Sequence, residues 1–307
     1  MGNYIRFNQY LKEKYGGRIQ KISIDAGFTC PNRDGFKGHG GCTFCNNASF
    51  SPYAMSKQTV EDQIEKSIDF YKKRFKNIKG FIAYFQAFSN TYAPVSKLKE
   101  IYDRAMEYDE IIGMSIGTRP DVAPDEALDL IATYTAYKPE IWIEYGLQTA
   151  NIKTLREINR GHGVSEFVDA VLRTKKRAGI KVCAHMIVGL PGDTFEDYVE
   201  TAKLIAALGI EGIKIHPLHI VKHTIMEKQF YRGQIKTLTL EEYADIVAHL
   251  LDILPDDIIV HRLTGEATEE ELISPDWCTS KRKMEVLNAI DEAIKRRQSN
   301  KKLSLKQ

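Results

Sequence analysis

Six short apolar runs rich in β-branched residues recur along the chain, at 22–26, 80–86, 111–117, 141–147, 180–188 and 210–216. They read as buried strands. Between them, at 59–75, 96–107, 124–134, 165–178 and 194–208, apolar residues recur at helical spacing. Several of these segments open with a cap residue or a first-turn proline, as at Ser165 and Pro124. Strand followed by helix, six times over, predicts an α/β fold with a parallel sheet and helices outside, either open and doubly wound or closed toward a barrel. Beyond 218 the repeat decays. Residues 219–236 are of mixed polarity, 238–254 and 284–297 read as helices and 257–263 as a short strand. This predicts a core over 1–218 and a C-terminal, α-rich extension over 219–307.

In either architecture the loops at the C-terminal strand ends build the working site. A cysteine-bearing loop follows the first strand, Gln86 and Ser89 the second, and Thr118, Arg119 and Asp121 the third. Glu144 and Gln148 lie on or just past the fourth strand, His185, Gly189 and Gly192 on or after the fifth, and His216 and His219 at the end of the sixth. A polar residue in an otherwise apolar strand must find a hydrogen-bond partner, within the protein or on a ligand.

Composition adds limits. With 307 residues, 43% hydrophobic and 27% charged, the chain suits one well-buried barrel-sized domain. It has no apolar run of roughly 20 residues and no signal-like start, so a cytoplasmic protein without membrane contact is expected. Five cysteines, an odd number, in a reducing compartment point to metal ligation rather than a disulfide framework. The net charge of +2 is uneven: residues 281–307 hold nine Lys or Arg against three Asp or Glu. That tail fits contact with a polyanion such as RNA, or a solvated terminal helix.

Cys30, Cys42 and Cys45 lie on one glycine-rich loop, spaced Cys-x11-Cys-x2-Cys. Three thiolates can hold a four-iron cluster with one iron open to an outside ligand. The same spacing fits a zinc knuckle, with His39 or a distant residue as fourth ligand, and hence a non-catalytic, zinc-dependent RNA-binding protein.

The cysteine loop, with Cys30-Pro-Asn-Arg-Asp-Gly and Gly40-Gly-Cys-Thr-Phe-Cys45, resembles the cluster motif of a branch of the radical S-adenosylmethionine superfamily. The stretches 144–149, 159–162 and 185–194 are similar to motifs of Elongator-type catalytic subunits and oxygen-independent coproporphyrinogen oxidases. With 263–265 and 275–278 they resemble a bacterial Elongator-like family over nearly the whole chain. The resemblance implies a partial, six-stranded TIM-like barrel, (β/α)6, whose cofactors are a 4Fe-4S cluster and S-adenosylmethionine. Reductive cleavage of the latter to a 5′-deoxyadenosyl radical would need an electron donor such as flavodoxin or ferredoxin. It implies Cys30, Cys42 and Cys45 as cluster ligands and Phe44 as the aromatic residue near adenine. Gln86 and Ser89 would face the methionine amino group, Glu144 and Gln148 the ribose, Arg160 the methionine carboxylate, and Gly189 and Gly192 the adenine. His185 and Cys278 rank second as catalytic candidates. Elongator relatives and the basic tail together imply transfer RNA as partner, and within the family the Gram-positive branch implies conversion of 5-carboxymethylaminomethyl to 5-aminomethyl uridine at the wobble position. Another RNA or a small molecule is the alternative substrate.

Overall fold

The computed structural model describes residues 4–46 and 58–304; the last part of the basic tail, with Lys306, lies outside the described residues. In chain order the elements are β1 (Ile5–Arg6), α1 (Phe7–Tyr15), β2 (Arg18–Ile24), α2 (Val60–Arg74), β3 (Ile78–Phe85), α3 (Val95–Met106), β4 (Ile111–Thr118) and α4 (Asp125–Thr133). Next come β5 (Glu140–Gln148), α5 (Ile152–Glu157), α6 (Val164–Lys175), β6 (Ile180–Val188), α7 (Phe195–Ala207) and β7 (Gly212–Pro217). The remainder is β8 (Ile220–Val221), α8 (Ile225–Tyr231), α9 (Leu240–Leu251), β9 (Ile259–Arg262), β10 (Leu272–Ser274) and α10 (Lys283–Ser304).

Eight strands form one curled parallel sheet in the order β1-β9-β7-β6-β5-β4-β3-β2. The six expected strands run consecutively from β2 to β7, so the partial barrel is present. Two more strands extend it: β9, from the segment after 218, pairs with β7, and the N-terminal β1 pairs with β9. β8 and β10 pair antiparallel with each other, outside the main sheet.

Side chains alternate across each strand, and the two faces differ in kind. Ile22, Ala83, Phe85, Ile116, Ile143, Val182, Met186 and Ile215 point outward and are buried against Ile64 of α2, Leu98 and Tyr102 of α3, Ile131 of α4, Phe167 of α6 and Ile205 of α7. That layer is the hydrophobic core. The residues between them, Lys21, Tyr84, Ser115, Glu144, His185 and Lys214, face inward, which leaves the barrel interior polar. Capping boxes at Thr59, Thr194 and Thr239 fix the starts of α2, α7 and α9.

One step nearer the N-terminal strand ends, the inward positions turn apolar. Ile19, Ile82, Trp142, Cys183 and Ile259 pack there with Phe7 and Leu11 of α1. The Phe7 ring meets Trp142 edge-on at 5.6 Å and stacks on His261 at 3.9 Å. The helix α1 therefore packs across the N-terminal mouth of the interior. Gly113 belongs to this tight layer: a Cβ there would lie 1.9 Å from the backbone oxygen of Glu140. Gly113 and Glu140 are register partners on β4 and β5, so Gly113→Ala must push β4 from β5. We expect a loss of about 3 kcal/mol or more in urea unfolding; an unchanged midpoint would contradict this close approach.

The basic tail is largely neutralised in place. On α10, Val286, Ile290, Ala293 and Ile294 are buried. Of the seven tail cations whose side chains are described, six are ion-paired: Lys281 with Glu269, Arg282 with Asp276 and Glu285, Lys283 with Glu266, Arg296 with Asp245, and Arg297 and Lys301 with Asp252. Such exposed pairs add little stability. They do lower the positive field that the sequence suggested. No helix among the described residues is long and apolar enough to cross a membrane.

Candidate active site

The barrel interior is a cavity of about 750 Å³. Its wall gathers Cys30, Cys42, Phe44, Cys45, Gln86, Ser89, Glu144, Gln148, Arg160 and His185, which the sequence scatters over more than half the chain. Gly189, Gly192 and Cys278 are not part of that wall. Gly189 and Gly192 have φ of 97° and 85° in the turn from β6 to α7, a backbone region where glycine is at ease. Cys278 is fully buried in the core, where burial pushes its thiol pKa upward.

The cysteine loop starts as a tight turn: the Arg33 and Asp34 amides donate to the Cys30 carbonyl, at 2.8 and 3.1 Å. A second turn links Cys42 and Cys45, with the Cys45 amide donating to the Cys42 carbonyl at 3.0 Å. The segment after α5 braces the loop. Asn32 Nδ2 donates to the Asn159 carbonyl at 2.6 Å, Asn159 Nδ2 to the Gly41 carbonyl at 2.8 Å, and the Thr43 amide to the Ile158 carbonyl at 3.0 Å. Phe44 packs against the apolar cluster of Leu155, Ile158, Leu190 and Leu218 while still reaching the cavity. Burial and Cys42 push the Cys45 thiol up, and the neighbouring Arg33 opposes them.

Arg160 ties this loop to the barrel. Its Nη2 donates to the Gly146 carbonyl of β5 at 2.6 Å and its Nη1 reaches Cys42 Sγ at 3.5 Å. A Cβ on Gly146 would come within 2.6 Å of Nη2, so glycine makes room for the guanidinium. Among the described residues, the buried Arg160 Nε, Ser89 Oγ and Asn32 Oδ1 have no hydrogen-bond partner. Buried polar atoms are seldom left so, and an outside ligand would satisfy them. Gln86 Nε2 donates to Ser23 Oγ at 2.8 Å, and Gln148 sits at φ 76°, a left-handed conformation unusual for its type.

Deeper in the barrel lies a charged layer. Glu144 is fully buried, and its carboxylate accepts from Lys21 Nζ at 2.7 Å, from Lys214 Nζ, from Ser115 Oγ and from His185 Nε2 at 2.7 Å. Burial alone would raise its pKa, but Lys21 and Lys214 outweigh burial and hold it well below the usual carboxylate range. Lys214 Nζ also donates to Tyr84 Oη at 2.8 Å, and Lys21 Nζ to Ser115 Oγ at 3.1 Å. Burial draws the Lys21 ammonium down to about 8, against the pull of Glu144 and with the push of Lys214. The imidazole of His185 is lowered to about 4, first by burial and then by Lys214, so at neutral pH it is uncharged and its Nε2–H donates to Glu144.

Lys21, Lys214, Tyr84 and Ser115 are the site residues that sequence reasoning missed. A signal existed in Ile213-Lys-Ile215, a charge centred in a buried strand.

A model of the radical SAM superfamily matches residues 30–205, and one of the radical SAM C-terminal domain matches 210–296. The chain belongs to the radical SAM superfamily. As a radical SAM enzyme it takes the superfamily's cofactors, a 4Fe-4S cluster and S-adenosylmethionine. The cavity suits them, offering three sulfur donors on one loop, a guanidinium beside one of them and unpartnered buried polar atoms nearby. This membership sets aside the zinc-dependent, non-catalytic alternative. The uncharacterized protein YtqA of Bacillus subtilis is 41% identical to this radical SAM chain over 298 residues, 96% of this chain and 91% of that one. Elongator complex protein 3 of Schizosaccharomyces pombe is 25% identical over 235 residues, 70% of this chain and 42% of that one. The solved structure of Elp3 from the archaeon Methanocaldococcus infernus shares the fold, with a TM-score of 0.62 and 16% identity over 89% of this chain and 63% of that one.

Proposed function

We propose that the protein trims 5-carboxymethylaminomethyl uridine to 5-aminomethyl uridine at the wobble position of transfer RNA, in the cytoplasm, with flavodoxin or ferredoxin as electron donor. One observation carries the catalytic part: Cys30, Cys42, Cys45 and Arg160 meet at one end of a cavity across whose far end α1 packs. The likeness to Elongator complex protein 3 supports the RNA substrate. The paired tail adds little to it.

In this reading Cys30, Cys42 and Cys45 would hold the cluster. Arg160 offsets negative charge beside Cys42 and keeps Nε for one further acceptor. Ser89, Gln86, Gln148 and Phe44 line the space for the methionyl, ribosyl and adenine parts of the cofactor. When bound, the two cofactors supply a hydrogen-abstracting 5′-deoxyadenosyl radical. The helix α1, packed across the mouth beneath, limits the entry of bulk water, which protects a reactive species. Removal of hydrogen from the carbon between amine and carboxylate, followed by loss of one electron to the oxidised flavodoxin or ferredoxin, would give an imine that water hydrolyses to the aminomethyl group and glyoxylate.

Mass spectrometry of transfer-RNA nucleosides from cells lacking the gene tests this directly. The carboxymethylaminomethyl nucleoside should accumulate at the expense of the aminomethyl form. Unchanged wobble uridines would retire the transfer-RNA substrate and leave a radical SAM enzyme with another one.

A further inference from the structure

The charged layer does not balance. Lys21 and Lys214 both direct their ammonium groups at one carboxylate, Glu144, while His185 and His261 are held uncharged by burial. Cys183 stays a thiol, because burial raises its pKa, and Tyr84 stays a phenol for the same reason. Arg262 and Glu266, also on the cavity wall, interact with one another and offset each other's charge. The layer therefore carries one more cation than anion, inside a cavity that is open to solutes.

Buried charge without a counter-ion is costly, and a protein that keeps it commonly uses it to bind the opposite charge. The surrounding groups favour a flat, singly charged oxyanion. Ser115 and Tyr84 hydroxyls flank the ammonium groups, and the Tyr84 ring lies 4.3 Å from Lys214 Nζ and 4.8 Å from Lys21 Nζ. Glu144 fixes both lysines in place without neutralising both.

We propose that this floor is the subsite for a carboxylate of the substrate, held by Lys214 and Lys21. The assignment deepens the wobble-uridine reading and rests on it only for which carboxylate is bound. Position supports it. Glu144 is two residues, about 7 Å of strand rise, below Gly146, whose carbonyl anchors the Arg160 that reaches Cys42, so the floor lies beneath the cysteine end. A carboxylate seated there leaves its neighbouring carbon directed up the barrel, toward the place where hydrogen is removed. The subsite thereby orients the carbon to be attacked and discriminates against the trimmed product, which has lost the carboxylate.

N-methylglycine reproduces the amine–carboxylate end of the proposed side chain and serves as the probe, with N-methylglycinamide as the uncharged control. Saturation-transfer NMR is run on the cluster-loaded protein with S-adenosylmethionine and no reductant. Wild type should bind N-methylglycine about tenfold or more tighter than the amide, as expected for charge-assisted hydrogen bonds. Lys214→Met should erase that preference and Lys214→Arg, which keeps the charge, should retain it. Lys21→Met provides a second variant should Lys214→Met fail to fold, as judged by its melting curve. Binding that depends on the lysines, together with untouched wobble uridines in cells, would sustain the subsite and sink the transfer-RNA reading. Equal binding of acid and amide, or lysine variants that bind the acid as well as wild type, would overturn the subsite even if transfer RNA is modified.

Discussion

Cys42→Ala yields a colourless protein after anaerobic reconstitution with iron and sulfide, and with the colour goes reductive cleavage of S-adenosylmethionine. The expectation follows from geometry. Cys42 is the buried member of the sulfur trio, and its Sγ is reached by Asn32 Nδ2 at 3.8 Å and Arg160 Nη1 at 3.5 Å. Changes to such outer groups alone typically weaken metal binding by about 10- to 100-fold, so loss of a ligand itself should cut 5′-deoxyadenosine formation by more than about 100-fold. The loop fold should survive, since the Thr43 amide to Ile158 carbonyl bond and the Asn159 Nδ2 to Gly41 carbonyl bond do not use the sulfur. Iron content, the visible absorbance band and 5′-deoxyadenosine by chromatography are the measurements. A variant that retains iron and cleavage would remove Cys42 from the ligand set.

The second large effect is on stability. Glu144→Gln leaves two ammonium groups facing an amide in the barrel, and breaking a buried ion pair from one side destabilises by about 3–5 kcal/mol. For a domain of this size that corresponds to a fall in Tm of roughly 10 °C. The sign with pH follows from the depressed carboxyl. Its stabilising contribution is fully present above the unfolded value near ~4.3 and disappears as pH falls through the lower folded value. Glu144→Gln should flatten that acid dependence. Adding Lys214→Met to Glu144→Gln removes the stranded cation and should recover part of the loss, a non-additivity expected for residues in contact. If Glu144→Gln melts with wild type at pH 7, the charged layer is not a coupled unit.

Much of the architecture is legible in residue order. The runs at 80–86, 111–117, 141–147 and 180–188 match β3 to β6 closely, because an outward face buried under helices enforces β-branched and aromatic residues. The first strand begins earlier than its apolar run suggests, since Arg18 and Lys21 interrupt the hydrophobic pattern at positions that face inward or lie at the rim. β9 falls within the short strand read at 257–263, whereas the two-residue β1 carries too few positions for any periodicity and exists because a curling sheet offers it a partner edge. The tail reads as free positive charge in one dimension, while in three its cations meet carboxylates from α9 and the loops.

Spacing and composition of a single loop determined the sulfur trio, and strand-then-helix alternation determined a parallel α/β sheet. Both are local properties, set by neighbours a few positions apart. The charged floor and the packing of α1 beneath it belong to the tertiary structure alone. Lys21 finds Glu144 from 123 residues away and Lys214 from 70. Sheet curvature brings them together, and α1 packs across the end beneath them. Electrostatic balance in a cavity depends on which distant strands face one another, and residue order records that only through the fold.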